Sequence, residues 1–429
     1  MFRLDHVVRN YPWGSLDQIP RFLGLPPAAE PVAEIWLGAH RTASATVARG
    51  EDDAGVPLRE IIARSPVASC GPDAPPELPF LLKLLGVASP LSLQVHPGAE
   101  QARAGFAREE AAGIPLAAPN RTYKDPYAKA EMIYALESFE VLAGFRPPEE
   151  IRRTLAPLAA NSALAAALAQ ALEPGGYAGL RAVLATALVD PCASAEAVAQ
   201  FTAACRHQLA VPGGDPGPYA TILALARRYP DDPALPLVMM MNHVSLAPGE
   251  ALFIPPGTLH TYLRGTAIEL LTGSDNTLRA GLTSKYVDRA RVAETVDVAG
   301  RGPLRPAVSR TGGIRAIRPP TDQFQLADIK VAGTSEVPLA GPRIALVLEG
   351  EATAFTELGS LHVGRGQSLF AMASEGNLTL RGKGRVIVAA PGERYRPPGP
   401  GAVPSPGAVP GRPGAVSGRD GAGGLGVSG

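Results

Sequence analysis

The 429-residue sequence predicts a mainly β protein with two jelly-roll β units and an α-helical insert inside the first unit. Short apolar segments divided by Gly and Pro recur through residues 1–145 and 236–272, a pattern typical of a jelly roll. Between them, residues 148–229 place apolar side chains at helical spacing. Strand-like segments return after residue 300 and predict a second β-rich unit.

The first β unit contains several strand-like segments before the insert. A short helix and loop are predicted at 98–113, among the strands. We assign 1–145 together with 236–300 to one β domain, because strands separated by Pro-Gly turns resume after the insert. The strands predicted before the insert lie at 43–47, 78–87, 90–96 and 130–145.

The helical insert is predicted over residues 146–235, with about four helices. Gly175 and Gly176 provide a stop signal for its first long helical pattern. The high Ala content indicates a packing role for this domain and not a chemical one. The apolar residues at helical spacing in that first pattern are Ile151, Leu155, Leu158, Leu164, Leu168 and Leu172.

The C-terminal β domain is predicted over residues 301–396. The sequences "APGEALFIPPGTLHTY" and "HVGRGQSLFAMASEGNLTL" resemble two versions of one turn–strand–turn–strand unit. The first carries His260, whereas the second has Ser374 and Glu375 near that place and no histidine, which predicts a second unit without metal. Residues 397–429 repeat "PGAV" and lack large apolar side chains, so this tail is predicted to be disordered.

Composition and charge restrict the class of protein. Hydrophobic residues make up 46% of the chain, and 40 basic residues balance 40 acidic ones. A globular protein is therefore expected, and the charge gives no support for a nucleic-acid partner. No apolar run predicts a membrane span or a signal peptide, and three cysteines without metal-like spacing fit a reducing compartment. We expect a cytoplasmic monomer without nucleic-acid or membrane partners.

Four residues form a candidate metal site. Gln94 and His96 lie two positions apart on a predicted strand, so their side chains share one face. Glu131 lies in an apolar strand, where a carboxylate is costly to bury unless it is paired or bound to metal. His260 follows a Pro-Pro-Gly turn, and imidazole with carboxylate suits Zn²⁺. Taken alone, the Gln-x-His pair is also compatible with a half-exposed strand.

Charged residues follow His260 in the segment 267–285. Glu269, Asp275, Arg279 and Lys285 are compatible with a solvated polar loop, but they also offer groups for an anionic substrate. The planar fork of Arg279 suits oxyanions, and Lys285 would act as a point charge.

Further polar residues interrupt the strands before the insert. Lys83 lies within the apolar strand 78–87 and either extends to solvent or points into a cavity. Ser92 lies one step before Gln94 on the same face, and Lys129 lies two residues before Glu131. His40 and Glu34 lie near Trp36 and could line a pocket, whereas Trp36 itself is expected to pack in the core.

Taken together, these segments resemble the type I mannose-6-phosphate isomerases, also called phosphomannose isomerases. The resemblance spans roughly residues 1–145 and 236–290, and it implies a cupin-like fold, one zinc ion per chain and a sugar phosphate substrate. It rests on an ordered set of motifs: "NYPWGS", "AEIWLGAH", "LPFLLKLLGVASPLSLQVHP", "YKDPYAKAEM", "PPGTLHTY" and "SDNTLRAGLTSKYVD".

The resemblance also implies roles for individual residues. The implied activity is the interconversion of mannose 6-phosphate and fructose 6-phosphate through a cis-enediol. Glu269 is our first choice as the base, Lys129 is its rival, and His40 is expected to assist ring opening. The implied zinc ligands are Gln94, His96, Glu131 and His260; the catalytic residues are Arg279, Glu269, Lys129 and His40; and the substrate-binding residues are Ser92, Lys83, Lys285 and Asp275.

The sequence departs from the family pattern at a few positions. Tyr127 and Ala128 replace the usual Asn-His before the third ligand, Ala130 replaces a proline, and Arg41 replaces the proline after His40. An alternative is therefore a non-catalytic sugar-phosphate-binding or regulatory cupin. A cupin oxygenase is disfavoured, because its iron usually has two His and one carboxylate, without a fourth ligand such as Gln94.

Overall fold

The computed structural model describes residues 1–72, 77–173, 175–188, 194–212, 216–298 and 303–393. They belong to one compact unit, Met1–Tyr395. The tail predicted to be disordered, 397–429, lies outside the described residues. No helix in the described part of the chain is long and apolar enough to cross a membrane.

The structure is dominated by antiparallel strands, so the prediction of a mainly β protein is confirmed. Three predicted strands differ from expectation: only Thr46 and Val47 of 43–47 pair, Pro90 and Pro97 flank the three-residue strand within 90–96, and 130–145 is divided into Glu131–Ala135 and Phe139–Phe145. In the described residues the strands are Phe2–Asp5 (β1), Val7–Arg9 (β2), Glu34–Leu37 (β3), Thr46–Val47 (β4), Phe80–Val87 (β5), Leu93–Val95 (β6), Glu131–Ala135 (β7), Phe139–Phe145 (β8), Met241–Leu246 (β9), Ala251–Ile254 (β10), His260–Thr272 (β11), Leu278–Gly281 (β12), Ala307–Thr311 (β13), Ile314–Arg318 (β14), Gln325–Glu336 (β15), Arg343–Thr356 (β16), Gly359–Gly364 (β17), Ser368–Ala371 (β18) and Thr379–Ala390 (β19).

Helices fill the predicted insert and flank the sheets. In the described residues the α-helices are Gln18–Leu23 (α1), Leu58–Arg64 (α2), Pro66–Cys70 (α3), Ala99–Ala111 (α4), Pro148–Leu155 (α5), Ala163–Ala171 (α6), Gly176–Leu188 (α7), Ala195–Leu209 (α8), Gly217–Ala226 (α9), Leu235–Met239 (α10) and Arg289–Thr295 (α11). Two short 3₁₀ helices lie at Ala156–Leu158 and Ala373–Glu375.

The insert contains more helices than the four predicted. The first helical pattern is divided into α5 and α6, because Pro157 lies in a 3₁₀ turn and Ser162 begins a new helix. The Ser162 hydroxyl accepts a hydrogen bond from the Ala165 N–H and so caps α6. The helices share one apolar core with β6 and β12, through residues such as Val95 and Leu278. The insert therefore packs directly behind strands of the candidate site.

The first sheet is organised around the long strand β11. Its second half, Gly265–Thr272, pairs with β5 and β7, whereas its first half pairs with β6 and β8. Gly265 marks the change of partners with φ +121°, and a Cβ there would lie 2.3 Å from the carbonyl oxygen of Ser138. A residue with a side chain would be strained at this bend. The bend lets one strand supply side chains to both walls of the jelly-roll interior.

The second sheet has the strand order β13-β14-β15-β19-β16-β18-β1-β4, with β17 in a hairpin against β16. Strand β1 from the beginning of the chain pairs with β18, so that Leu4 lies opposite Ser368. The predicted second turn–strand unit is present as β18, a 3₁₀ turn and β19. Glu375 is buried in that turn and accepts hydrogen bonds from the Thr356 hydroxyl and the amino group of Met1.

One apolar core joins the two sheets, and a polar cluster also links them. The Tyr134 hydroxyl on β7 donates a hydrogen bond to Asp328 on β15. Arg385 Nε and Nη2 donate to the two carboxylate oxygens of Asp328 at 3.0 and 2.9 Å. Burial and the Asp328 carboxylate raise the pKa of Tyr134 to about 12, so its hydroxyl remains a donor at neutral pH.

This cluster predicts a large stability effect. Asp328→Asn would leave the Arg385 guanidinium without its carboxylate partner, and we expect the free energy of unfolding to fall by about 3 kcal/mol. Urea denaturation of both proteins measures the difference. The exposed Asp322→Asn change is the control and should stay within about 0.5 kcal/mol of the parent. Equal effects of the two substitutions would contradict the role of the cluster.

Candidate metal centre and active site

Three predicted ligands meet in the interior of the jelly roll. Glu131 on β7 places Oε1 3.1 Å from His96 Nε2 and Oε2 3.2 Å from His260 Nε2. All three residues are buried, and their ligand atoms lie within 4.8 Å of one another. The two imidazoles come from β11 and from the end of β6, which are adjacent strands, whereas the carboxylate comes from the opposite wall.

The orientation of both imidazoles fits a metal ion. The Nδ1 atoms lie 2.7 Å from the Asn276 carbonyl oxygen for His96 and 2.9 Å from the Thr258 carbonyl oxygen for His260. A proton on each Nδ1 leaves the Nε2 lone pairs directed at Glu131, as in zinc sites. His96 Nε2 is buried and has no hydrogen-bond partner, although it lies only 3.1 Å from Glu131 Oε1. These donors point to a shared centre, and the set suits Zn²⁺.

Gln94 lies next to this triad. It is directly opposite His260 across the β6–β11 pair, and its Nε2 atom is 3.4 Å from His260 Nε2. On its other side, Gln94 lies opposite Arg279 of β12. Residues directly opposite each other in antiparallel strands share a face. His260, Gln94 and Arg279 therefore form one row, with Arg279 half-buried beside the candidate ligands.

Lys129 and Tyr262 complete the surroundings of Glu131. Lys129 Nζ is 3.0 Å from Glu131 Oε1, and the Tyr262 hydroxyl is 3.1 Å from Oε2. Burial raises the pKa of Glu131, but His96 and Lys129 oppose it, and the result lies well below the usual value. Burial lowers the pKa of His96 to about 4. A neutral His96 beside an ionised Glu131 is the protonation state that a metal ligand set requires.

A second group of contacting charged side chains lies on the neighbouring strands β3, β5 and β11. Glu269 Oε2 lies 3.0 Å from Lys83 Nζ, and its Oε1 accepts a hydrogen bond from Tyr262 at 2.9 Å. Lys83 also contacts Glu34, which accepts a hydrogen bond from the Trp36 indole at 2.6 Å. Burial raises the pKa of Glu269, and Lys83 acts in the opposite direction. Burial lowers the pKa of Lys83, but the surrounding carboxylates raise it above its usual value.

His40 and Asp275 form a pair at the edge of this region. His40 Nε2 lies 2.9 Å from Asp275 Oδ1, and the His40 ring packs edge-on against Trp36. Burial raises the pKa of Asp275, but the His40 contact outweighs it and lowers that pKa below its usual value. Asp275 was predicted to bind substrate, and the structure places it against a predicted catalytic histidine.

Ser92 and Lys285 are the remaining predicted site residues. Ser92 is half-buried two residues before Gln94, without a recorded side-chain hydrogen bond among the described residues. Lys285 is exposed and lines a groove of about 320 Å³ with Asp232 and Arg289. Burial lowers the pKa of Lys285, and Arg279 lowers it further, which indicates two neighbouring cations. They are positioned to attract an anion at the rim of the site.

Sequence reasoning missed the role of Asn276. This buried residue accepts hydrogen bonds at Oδ1 from the Lys124 and Asp125 N–H groups and donates from Nδ2 to the Tyr127 carbonyl. Its own carbonyl lies against His96 Nδ1. Asn276 therefore links the loop before Glu131 to the His96 imidazole. Its place in the "SDN" motif was the available signal, but that motif had been interpreted through its charges.

Asp232, from the insert, was also missed. Its carboxylate accepts hydrogen bonds from the backbone N–H groups of Ala234 and Leu282, at 2.9 Å in the first case. Leu282 has a left-handed φ of +54°, which is uncommon for a residue other than glycine. A Cβ on Gly281 would lie 2.5 Å from Asp232 Oδ1. The hydrogen bonds of Asp232 therefore stabilise a strained turn that lies between Arg279 and Lys285.

Two departures from the family pattern are in contact. The Arg41 guanidinium lies over the Tyr127 ring, 5.0 Å from its centroid. The Ala128 carbonyl accepts a hydrogen bond from the Thr272 hydroxyl at 3.0 Å, so the backbone of this segment is held without a polar side chain there. Ala130 is buried, and its N–H also donates to Thr272. The loop before Glu131 is therefore supported despite the changed residues.

Comparison with known proteins identifies relatives over nearly the whole chain. A family model described as "Phosphomannose isomerase type I, catalytic domain" matches residues 1–148. The mannose-6-phosphate isomerase of Salmonella typhimurium is 36% identical over 397 residues, covering 90% of this chain and 98% of that protein. The Escherichia coli mannose-6-phosphate isomerase is 34% identical with the same coverage.

Solved structures agree with the sequence comparison. A zinc-bound mannose 6-phosphate isomerase has a TM-score of 0.81 and 33% identity, covering 91% of this chain and 99% of that one. A Salmonella typhimurium mannose 6-phosphate isomerase bound to its substrate, f6p, and zinc has the same values. The predicted cupin-like fold is thereby confirmed. The chain belongs to the type I phosphomannose isomerase family, the mannose-6-phosphate isomerases.

Proposed function

We propose that this chain is a zinc-dependent isomerase that interconverts mannose 6-phosphate and fructose 6-phosphate through a cis-enediol. The observation that carries the proposal is the buried His96–Glu131–His260 group, whose ligand atoms lie within 4.8 Å of one another. Relatives described as mannose 6-phosphate isomerases contain zinc, and one contains f6p, which supports the same metal and substrate here.

Gln94, His96, Glu131 and His260 would hold the zinc ion. When bound, zinc supplies a Lewis acid that stabilises negative charge on a sugar oxygen. Arg279 shares the face of Gln94 and would add a fixed positive charge near that oxygen. Lys285 extends the positive region toward the rim, where the phosphate of the substrate would bind, with Ser92 on the strand side.

Glu269 is the proposed base that moves the proton between C1 and C2. Its carboxylate is buried in the same interior, and its raised pKa favours a group that both accepts and returns a proton. Lys83, at 3.0 Å, stabilises the ionised form that begins the cycle. Lys129 is the rival, but its Nζ lies 3.0 Å from Glu131 and is paired with that carboxylate.

His40 is proposed to assist opening of the sugar ring. Its Nε2 lies 2.9 Å from the Asp275 carboxylate, which would stabilise the imidazolium formed when His40 accepts the C1 hydroxyl proton. The same proton would then pass to the ring oxygen as the bond between C1 and that oxygen breaks. Asp275 would thus orient and support His40 in addition to any contact with substrate. Trp36 packs on the same imidazole and restricts its rotation.

Metal removal tests the proposed function. Dialysis of the full chain against a chelator should abolish conversion of mannose 6-phosphate in a coupled assay, and one equivalent of Zn²⁺ should restore it. The melting temperature should fall when the metal is removed, because a ligand that binds only the folded state stabilises that state. Elemental analysis counts the zinc. Substrate binding without turnover in zinc-loaded protein would instead support a non-catalytic sugar-phosphate-binding protein.

Two substitutions distinguish the candidate bases. Glu269→Gln should lower kcat by about 10²–10⁴-fold and abolish exchange of the substrate C2 proton with deuterated solvent, with zinc content retained. Lys129→Met should retain exchange, because its ammonium is a neighbour of the ligand and not the base. Exchange that survives in Glu269→Gln and disappears in Lys129→Met would assign the base to Lys129.

The pH dependence of kcat/KM tests the link between Glu269 and Lys83. The base must be ionised, so activity is present above its pKa and is lost as the pH falls through it. Lys83 lowers the pKa of Glu269, and Lys83→Met should therefore move the acid limb to higher pH. Lys330→Met, which removes an exposed lysine, is the control and should leave the limb in place. A shift to lower pH would refute this pairing.

Asp232 predicts an effect on substrate binding from outside the metal centre. Asp232→Ala removes both hydrogen bonds that hold the turn after β12, so KM should rise by about tenfold while zinc content stays unchanged. Asp232→Asn keeps one of the two oxygen acceptors, so it can restore only one of the two hydrogen bonds and should recover part of the loss. If the asparagine variant is as impaired as the alanine variant, the charge of Asp232 matters more than its hydrogen bonds.

A further inference from the structure

A groove of about 760 Å³ lies on the second sheet and is lined by residues of β13, β14, β15, β16 and β19. Its walls carry the cations of Arg310, Arg315, Lys330, Lys383 and Arg385. Asp328 and Glu349 are the carboxylates in its lining, which leaves a formal excess of three positive charges. The chain as a whole has a net charge of +0, so this concentration of cations is local.

The strand register places like charges directly opposite each other in this groove. Arg310 of β13 lies opposite Arg315 of β14, and Lys330 of β15 lies opposite Arg385 of β19. Side chains in such positions share a face, and like charges there destabilise the sheet. On their other neighbouring strands, Arg315 lies opposite Asp328 and Arg385 lies opposite Glu349, so these two cations also face carboxylates. Arg310 and Lys330 have no carboxylate opposite them in the described residues, and such unbalanced charges are expected at functional sites.

Part of this charge is already neutralised inside the protein. Arg385 forms a two-point contact with Asp328, and an Arg315 Nη1 atom lies 3.0 Å from the Tyr134 hydroxyl. By contrast, no side-chain hydrogen bond or ion pair is recorded for Arg310, Lys330 or Lys383 within the described ranges. These three exposed cations therefore remain available to a ligand.

The shape of the groove favours a small molecule. Gly312, Gly313, Gly350 and Gly384 line it and leave part of its surface without side chains. A Cβ on Gly384 would lie 2.2 Å from the Glu349 carbonyl oxygen, so close packing of β16 and β19 requires glycine there. The volume is in the range of pockets that bind small organic ligands. An extended polyanion such as nucleic acid would meet the carboxylates that flank the cations.

We propose that this groove binds a phosphorylated small molecule of nucleotide size, with its phosphate groups held by Arg310, Lys330 and Lys383. The site is separate from the metal centre. Tyr134 contacts Arg315 of the groove, whereas Glu131 contacts the candidate ligand His260. These two residues lie three positions apart on β7, so their side chains point to opposite faces of the sheet. The inference goes beyond the proposed isomerase activity and does not depend on it.

Titration calorimetry of the zinc-loaded full chain with ADP tests the proposal. We expect saturable binding of about one ADP per chain and no binding of adenosine, which lacks phosphate. Lys330→Gln/Lys383→Gln should weaken ADP binding by roughly tenfold or more, while kcat/KM for the isomerase reaction stays unchanged. Arg206→Gln/Arg227→Gln is the matched control, because both arginines are exposed on the helical insert, far along the chain from the groove.

Binding must also be separated from the proposed active site. Arg279→Ala/Lys285→Ala removes the cations near the metal centre and should leave ADP binding intact. Loss of binding in this variant, with retention in Lys330→Gln/Lys383→Gln, would overturn the proposal. Absence of saturable ADP binding, equal binding of adenosine, or binding of a DNA oligonucleotide in preference to ADP would overturn it as well. Circular dichroism of each variant verifies the fold.

Discussion

The arrangement of the active site depends on the burial of one carboxylate. Glu131 is only 2% exposed, and a charge in that position is tolerated only when partners replace the lost water. His96, His260, Lys129 and Tyr262 supply those partners from several elements of the first sheet. The bend in β11 is what brings two opposite walls within reach of the same carboxylate. The residues that could hold a metal ion are thus also those that offset the cost of burying Glu131.

Support for this set comes mainly from backbone atoms. The carbonyls of Asn276 and Thr258 select the tautomer of each imidazole, and Asn276 also holds the loop that precedes Glu131. Sites on strands with such supporting contacts are more precise than sites on free loops. The insert contributes through Asp232, which fixes the turn after β12. In its described residues, the helical insert therefore acts on the site by holding a turn and does not supply a reactive group.

The sequence predicted the elements that local rules determine. The spacing of Gln94 and His96 predicted a shared face, and the cost of burying a carboxylate singled out Glu131. Asn276 escaped prediction because its role lies in long-range hydrogen bonds to a loop about 150 residues earlier. The contact between Arg41 and Tyr127 was not predicted for the same reason, because it joins residues far apart in the sequence. Each residue alone was only a departure from the family's sequence motifs. The spacing of residues in the sequence predicts which side chains share a face of a helix or strand. These contacts depend instead on how distant segments pack against each other.

The pairing of β1 with β18 has a consequence for how the protein is made. Leu4 and Ser368 are neighbours in the sheet, yet hundreds of residues separate them in the chain. At ribosomal rates of about 5–20 residues per second, β1 would wait roughly 20–70 seconds for its partner to be synthesised. Contacts of such long range slow folding, and an unpaired strand edge invites aggregation in the interval. Protection of the nascent chain by a chaperone would therefore matter most for its first strand.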